Sequence, residues 1–113
     1  MAPIRLVAHP TRVTLMVTRQ TVQQVQVKVR NEGGTGGRVL ASVSPLPVVL
    51  VTPEAGEIPA GAGVEFCVRP AVGALRPGTH TTTVTFSAES RESSASVEVT
   101  LRVRGIPRGA VTR

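Results

Sequence analysis

A strict two-residue alternation of apolar and polar side chains constrains this chain more than any other feature. From residue 95 to 104, Val97, Val99, Leu101 and Val103 alternate with Ser96, Glu98, Thr100, Arg102 and Arg104. From residue 24 to 30, Val25, Val27 and Val29 alternate with Gln24, Gln26, Lys28 and Arg30. Strand side chains point to opposite faces with period 2, so each segment predicts a strand with one buried face. Further alternating runs occur at 13–18, 38–44, 64–69 and 79–86, with a short apolar run at 48–51. Ile4, Leu6 and Ala8 predict a short edge strand that Pro10 ends, because proline cannot donate to a ladder.

Between these runs lie turn-forming residues. The segment N-E-G-G-T-G-G at 31–37 holds four glycines and predicts a loop. S-P-L-P at 44–47, T-P-E-A-G-E at 52–57 and P-A-G-A-G at 59–63 predict turns, and S-A-E-S-R-E-S-S at 87–94 a polar hairpin loop. P-A-V-G-A-L-R-P-G at 70–78 is too short for a helix of its own. It predicts a crossover from one sheet to another, pinned by Val72 and Leu75. The sum is seven strands, eight with the N-terminal one, and no segment of helical period. One sheet alone would leave its valine face wet, at a cost of roughly 1.5 kcal/mol or more per side chain. The reading is therefore an all-β, antiparallel β-sandwich of seven to eight strands over residues 1–104, followed by a basic tail at 105–113.

Composition fits. With two phenylalanines and no tryptophan or tyrosine among 113 residues, the core must be built from valine and leucine, which suits a pleated surface. Thirteen basic residues, twelve of them arginine, face seven glutamates for a formal charge of +6. Such a balance favours acidic partners, although along the chain the arginines are scattered rather than lined up on one element.

Several functions are disfavoured by what the residues lack. Cys67 is the sole cysteine, so it offers neither an internal disulfide nor a zinc cluster. With no aspartate, a calcium site lacks its usual ligands. Cys67 and His80 stand close enough in adjoining segments to suggest a dyad, but nothing supplies the orienting base and oxyanion site that a nucleophile needs. The glycine-rich loop is followed by a strand, not by the helix N-terminus of a phosphate site. No catalytic residue, cofactor or metal is assigned, and the expectation is a protein that is not an enzyme. Sugar and single-stranded nucleic acid usually stack on aromatic faces, and both phenylalanines fall on inward faces; carbohydrate is a weak expectation and nucleic acid an unfavoured one.

The N-terminus lacks the apolar core of a signal peptide, and no run of about 18 apolar residues exists to span a membrane. If Met1 is the native start, the expected location is the cytosol or an assembly made there, such as a virion. If the chain is an excised domain, it is extracellular.

The turns also carry a resemblance. Thr52, Pro53, Gly56, Ile58, Pro59, Ala60 and Gly61, followed by Leu75, Pro77, Gly78 and Thr79, match a T-P-x-x-G-x-I-P-A-G turn and an L-x-P-G-T strand entry. Over residues 4–104 the chain resembles bacterial immunoglobulin-like modules of the BACON type, which are similar in turn to major-sperm-protein-like domains. Those modules usually carry an aromatic before the V-V-L-V strand and a tyrosine after P-G-T, where this chain has Pro47 or Val48 and His80. The resemblance implies an immunoglobulin-like sandwich, and relatives that are carbohydrate-associated modules, surface repeats or spacers. The combined expectation is a structural or adhesive protein-interaction subunit of a larger assembly, such as a virion decoration or a surface filament. The alternative is a carbohydrate-associated binding or spacer module of a secreted multidomain protein. Self-association or a protein partner with an acidic surface is expected. The candidate contacts are the terminal arms, with Ile4, Arg5 and Leu6 at one end and Arg102, Arg104, Arg108 and Arg113 at the other.

Overall fold

The computed structural model describes residues 3–71, 73, 75–91 and 93–104. Nine strands form among them: β1 (Leu6–His9), β2 (Arg12–Thr18), β3 (Val25–Asn31), β4 (Gly37–Ser44), β5 (Val49–Thr52), β6 (Ala55–Ile58), β7 (Gly63–Pro70), β8 (Gly78–Ala88) and β9 (Ser94–Arg104). A four-stranded sheet in the order β1-β3-β7-β5 packs on a five-stranded sheet in the order β2-β9-β8-β4-β6. The two-layer sandwich expected from the alternation is what forms.

The alternation is legible in the burial. Val97, Val99, Leu101 and Val103 are buried, as are Val27 and Val29, Phe66 and Val68, and Val84 and Phe86. Phe66 from the smaller sheet meets Phe86 from the larger, with ring centroids 4.8 Å apart. The crossover after β7 passes from one sheet to the other, and Leu75 is buried beneath it. Val72, the second residue expected to pin it, lies outside the described residues.

Three details depart from expectation. The segment 52–57 is not wholly a turn. Its second half is β6, which pairs Ala55–Ile58 with Gly37–Leu40 of β4, while the Ala41 amide donates to the Glu54 carbonyl at 2.9 Å. That raises the count to nine. Nor is every pair antiparallel, because β2 runs parallel to β9 from Arg12↔Glu98 to Thr18↔Arg104. The reason is that β1 and β2 are one extended path that changes sheets at His9-Pro10, keeping its direction as it crosses. The same device recurs at Thr52-Pro53, where β5 leaves the small sheet and β6 joins the large one. Each side of the sandwich is thus bordered by a chain path that switches sheets.

The third departure concerns the N-terminal arm. Ile4 and Leu6 are each 5% exposed and belong to the domain's own core, so they are not free to meet a partner. The arm is tied down by hydrogen bonds. The Glu32 amide donates to the Arg5 carbonyl at 2.8 Å, and the Leu6 amide to Ser93 Oγ at 2.9 Å. Arg5 alone of the three is exposed.

Candidate interaction surface

Strand direction decides which residues share an end of the sandwich. β2 and β9 finish together, at Thr18 and Arg104, and β8 begins beside them, since Gly78 pairs with Val103. β7 finishes and β5 begins at the same end, because Val49 pairs with Pro70. The connections 19–24, 45–48 and 71–77 therefore all gather there. The connections 32–36 and 59–62 and the β8–β9 hairpin lie at the opposite end.

This geometry separates charges that the sequence intersperses. Arg19, Arg76, Arg102 and Arg104 stand exposed at the first end, and Arg69 borders it one residue from the end of β7. No glutamate among the described residues lies beyond Glu98, which is six residues down β9 from Arg104, about 20 Å at strand rise. Glu98 is itself paired with Arg12 at 3.2 Å. In the rest of the described chain, Arg5, Arg12, Lys28, Arg30, Arg38 and Arg91 stand against Glu32, Glu54, Glu57, Glu65, Glu89 and Glu98. Six cations meet six anions, so that body is formally neutral and the excess positive charge of the described residues sits at one end. Both ion pairs found among the described residues, Arg12–Glu98 and Arg38–Glu89 at 3.7 Å, belong to the neutral body.

Each cation is presented by a local device. Arg102 and Arg104 face outward because Leu101 and Val103, their neighbours on β9, face the core. Arg69 faces outward between buried Val68 and Pro70. Arg19 rides on a turn made by Thr18, whose Oγ1 accepts from the Gln20 and Thr21 amides at 3.2 and 2.9 Å. The crossover carrying Arg76 is clipped by His80, whose Nε2 lies 2.7 Å from the Arg76 carbonyl. Exposed apolar residues accompany the charge. Val22, Leu46 and Leu50 are 42%, 42% and 48% exposed at or near this end, and the turn bearing Leu46 is held by a 2.8 Å hydrogen bond from Thr82 Oγ1 to its carbonyl. A cationic rim around apolar side chains suits a protein contact, where arginine and apolar anchors carry most of the energy.

Of the expected contact residues, Arg102 and Arg104 are therefore brought together, while Arg108 and Arg113 lie outside the described residues. Arg5 is at the far end with Ile4 and Leu6. Arg19, Arg69 and Arg76 were missed, because they sit in three unrelated segments. Counting strand directions through the two sheet switches was the signal that could have found them. Cys67 is half-buried on β7 and His80 lies on β8 in the other sheet, engaged with Arg76, so the two form no dyad.

No protein-family model matches the chain, and no curated protein matches it. Solved structures do. The ASH/PapD-like domain of human CEP192 superposes with a TM-score of 0.72 at 6% identity, covering 88% of this chain and 85% of that one. The CsuC chaperone–CsuE tip adhesion subunit complex of archaic Csu pili of Acinetobacter baumannii matches at TM-score 0.64 and 14% identity, over 88% of this chain and 57% of that chain. SSP-19, an MSP-domain-like protein of Caenorhabditis elegans, matches at TM-score 0.61 and 12% identity, over 85% and 98%. The chain thus spans little more than half the length of the pilus structure it matches. All are immunoglobulin-like folds, and at these identities the likeness is one of fold. It agrees with the immunoglobulin-like fold that the sequence resemblance implies.

Proposed function

We propose that this protein is a non-enzymatic interaction module that docks its basic end on an acidic protein surface, as a structural or adhesive subunit of a larger assembly. The observation that carries the reading is the segregation of charge among the described residues, with five arginines and no glutamate at one end above a neutral body. A uniformly basic surface would serve solubility alone. A polar one orients the approach of the molecule and accelerates encounter with an anionic target. One neighbour of this fold is in a complex of a chaperone with a tip adhesion subunit, which supports the reading by analogy. The resemblance of the Thr52–Gly61 and Leu75–Thr79 turns to BACON-type modules supports the same reading, with a virion decoration or a surface filament as the assembly in view.

The test is co-sedimentation with the particles or filaments of its source, at low and high salt, for the native protein and a variant with Arg19, Arg76, Arg102 and Arg104 changed to Gln. Salt-sensitive binding by the native chain and its loss in the variant are expected. A monodisperse monomer that ignores every such particle overturns the reading. Equal affinity for duplex DNA would reassign the end to phosphate contacts, whose affinity falls steeply with salt.

A further inference from the structure

We infer that the free edge of β5 is a strand-addition site for an extended acidic segment of a partner protein, continuous with the basic end; this deepens the docking reading above and rests on it. The four sheet edges are not treated alike. On β1 the outward Leu6 amide is taken by Ser93 Oγ. On β2 the Met16 amide is taken by Gln23 Oε1 at 2.8 Å, the Met16 carbonyl accepts from the Gln23 amide at 3.1 Å, and the Thr18 amide is taken by the Thr21 carbonyl at 2.7 Å. β6 is a four-residue edge that itself covers β4 from Gly37 to Leu40. β5 is covered by nothing comparable among the described residues.

The register gives the direction of its hydrogen-bonding groups. The Ala71 amide donates to the Val48 carbonyl, so Leu50 and Thr52, which share the parity of Val48, are the β5 residues that exchange hydrogen bonds with β7. In an antiparallel ladder the intervening residues point the other way. Val49 and Val51 therefore turn an N–H and a C=O each towards the open side. There the strand borders a cleft of about 270 Å3, opened where the path from β5 to β6 switches sheets and leaves the end of β4 uncovered. Ala41 and Val43 form its opposite wall, with Arg69 and Glu54 contributing the charges. Exposed Leu50 and Arg69 are register partners on the outer face.

These features specify the occupant. Backbone groups of an extended segment would pair with Val49 and Val51, and its inward side chains, alternating with period 2, must be small and apolar to lie over Ala41 and Val43. An outward carboxylate level with Leu50 would meet Arg69, which has no ion-pair partner among the described residues, while Glu54 disfavours an acid at the other end of the cleft. A second copy of this chain fits less well. β5 is only four residues long, and two copies would each bring a +6 charge.

The probe is an acetylated, amidated octapeptide in which valine alternates with threonine and a single glutamate, added to the full chain and followed by amide NMR and hydrogen exchange. Shifts confined to Val49, Val51 and the residues of the cleft are expected. Methylating the two peptide nitrogens that face β5 should weaken binding at least about tenfold, whereas methylating the two that face solvent should leave it unchanged. Arg69→Glu should weaken the glutamate peptide and not its glutamine counterpart. No binding, or equal effects of the two methylation patterns, overturns strand addition. If Arg19, Arg102 and Arg104 variants still abolish particle binding in that case, the basic end stands and only the edge falls.

Discussion

Phe66 of the small sheet and Phe86 of the large one cross at the centre of the sandwich at an interplanar angle of 46°, both fully buried. In a core otherwise made of valine, leucine, isoleucine and alanine, this tilted pair brings together the two largest buried side chains. Phe86→Ala should therefore cost about 3–5 kcal/mol, since the surrounding β-branched residues relax only partly into the void. Urea unfolding measures it. A loss under about 1 kcal/mol would mean that the two sheets are not held together there.

Asn31 governs the end opposite the arginines. It is 1% exposed, and its amide group donates to the carbonyls of Thr35 and Ile58 at 2.7 and 3.2 Å, while Oδ1 accepts from the Arg5 and Gly33 amides at 3.2 and 3.0 Å. One side chain thus satisfies four backbone groups from the N-terminal segment, the 32–36 loop and β6. Asn31→Asp keeps the shape but turns a carboxylate oxygen on two carbonyls. It should cost on the order of 3 kcal/mol, at least as much as Asn31→Ala, because a buried group without its partner carries its full desolvation penalty. Thermal unfolding of the two variants checks the order.

Gly33, beside it, is fixed by close approach. A Cβ at this position would come within 1.8 Å of the Pro3 carbonyl oxygen and 2.9 Å of the Ile4 Cα. Gly33→Ala must push the N-terminal segment off the loop, at about 1–3 kcal/mol. Hydrogen exchange should show the Arg5 and Leu6 amides losing protection before the amides of β8 and β9.

Arg12 and Glu98 make the contrasting case. Their side chains are 79% and 48% exposed, so the 3.2 Å ion pair works in high dielectric and under salt screening. Replacing Arg12 with Gln should change stability by less than about 0.5 kcal/mol in denaturant titration, a difference that salt would erase.

How far these relationships could be read beforehand depends on whether they are local. The inward faces of β3, β7, β8 and β9 follow from alternation alone, so Val27, Phe66, Val84 and Val99 were legible one strand at a time. β6 was not. Its four residues include Gly56, follow Pro53, and become a strand only because β4 offers them a ladder. The parallel partnership of β2 with β9 joins residues 86 positions apart and has no local signature. Asn31 looked like the first residue of a glycine-rich loop, and its four hydrogen bonds depend on three separate segments meeting. The arginines at 19, 69, 76, 102 and 104 looked scattered for the same reason: strand direction, rather than sequence spacing, gathers them.

That gathering is most directly tested by mapping where an acidic polymer touches the protein. Titrating poly-L-glutamate into the labelled chain, while ionic strength rises from about 0.01 M to about 1 M and the Debye length falls from about 30 to about 3 Å, separates an oriented contact from diffuse attraction. Amide shifts should cluster around Arg19, Arg69, Arg76, Arg102 and Arg104, fade with salt, and vanish in the quadruple Gln variant. Shifts spread evenly over the sandwich, or centred on the Asn31 end, would contradict a docking function for the basic end.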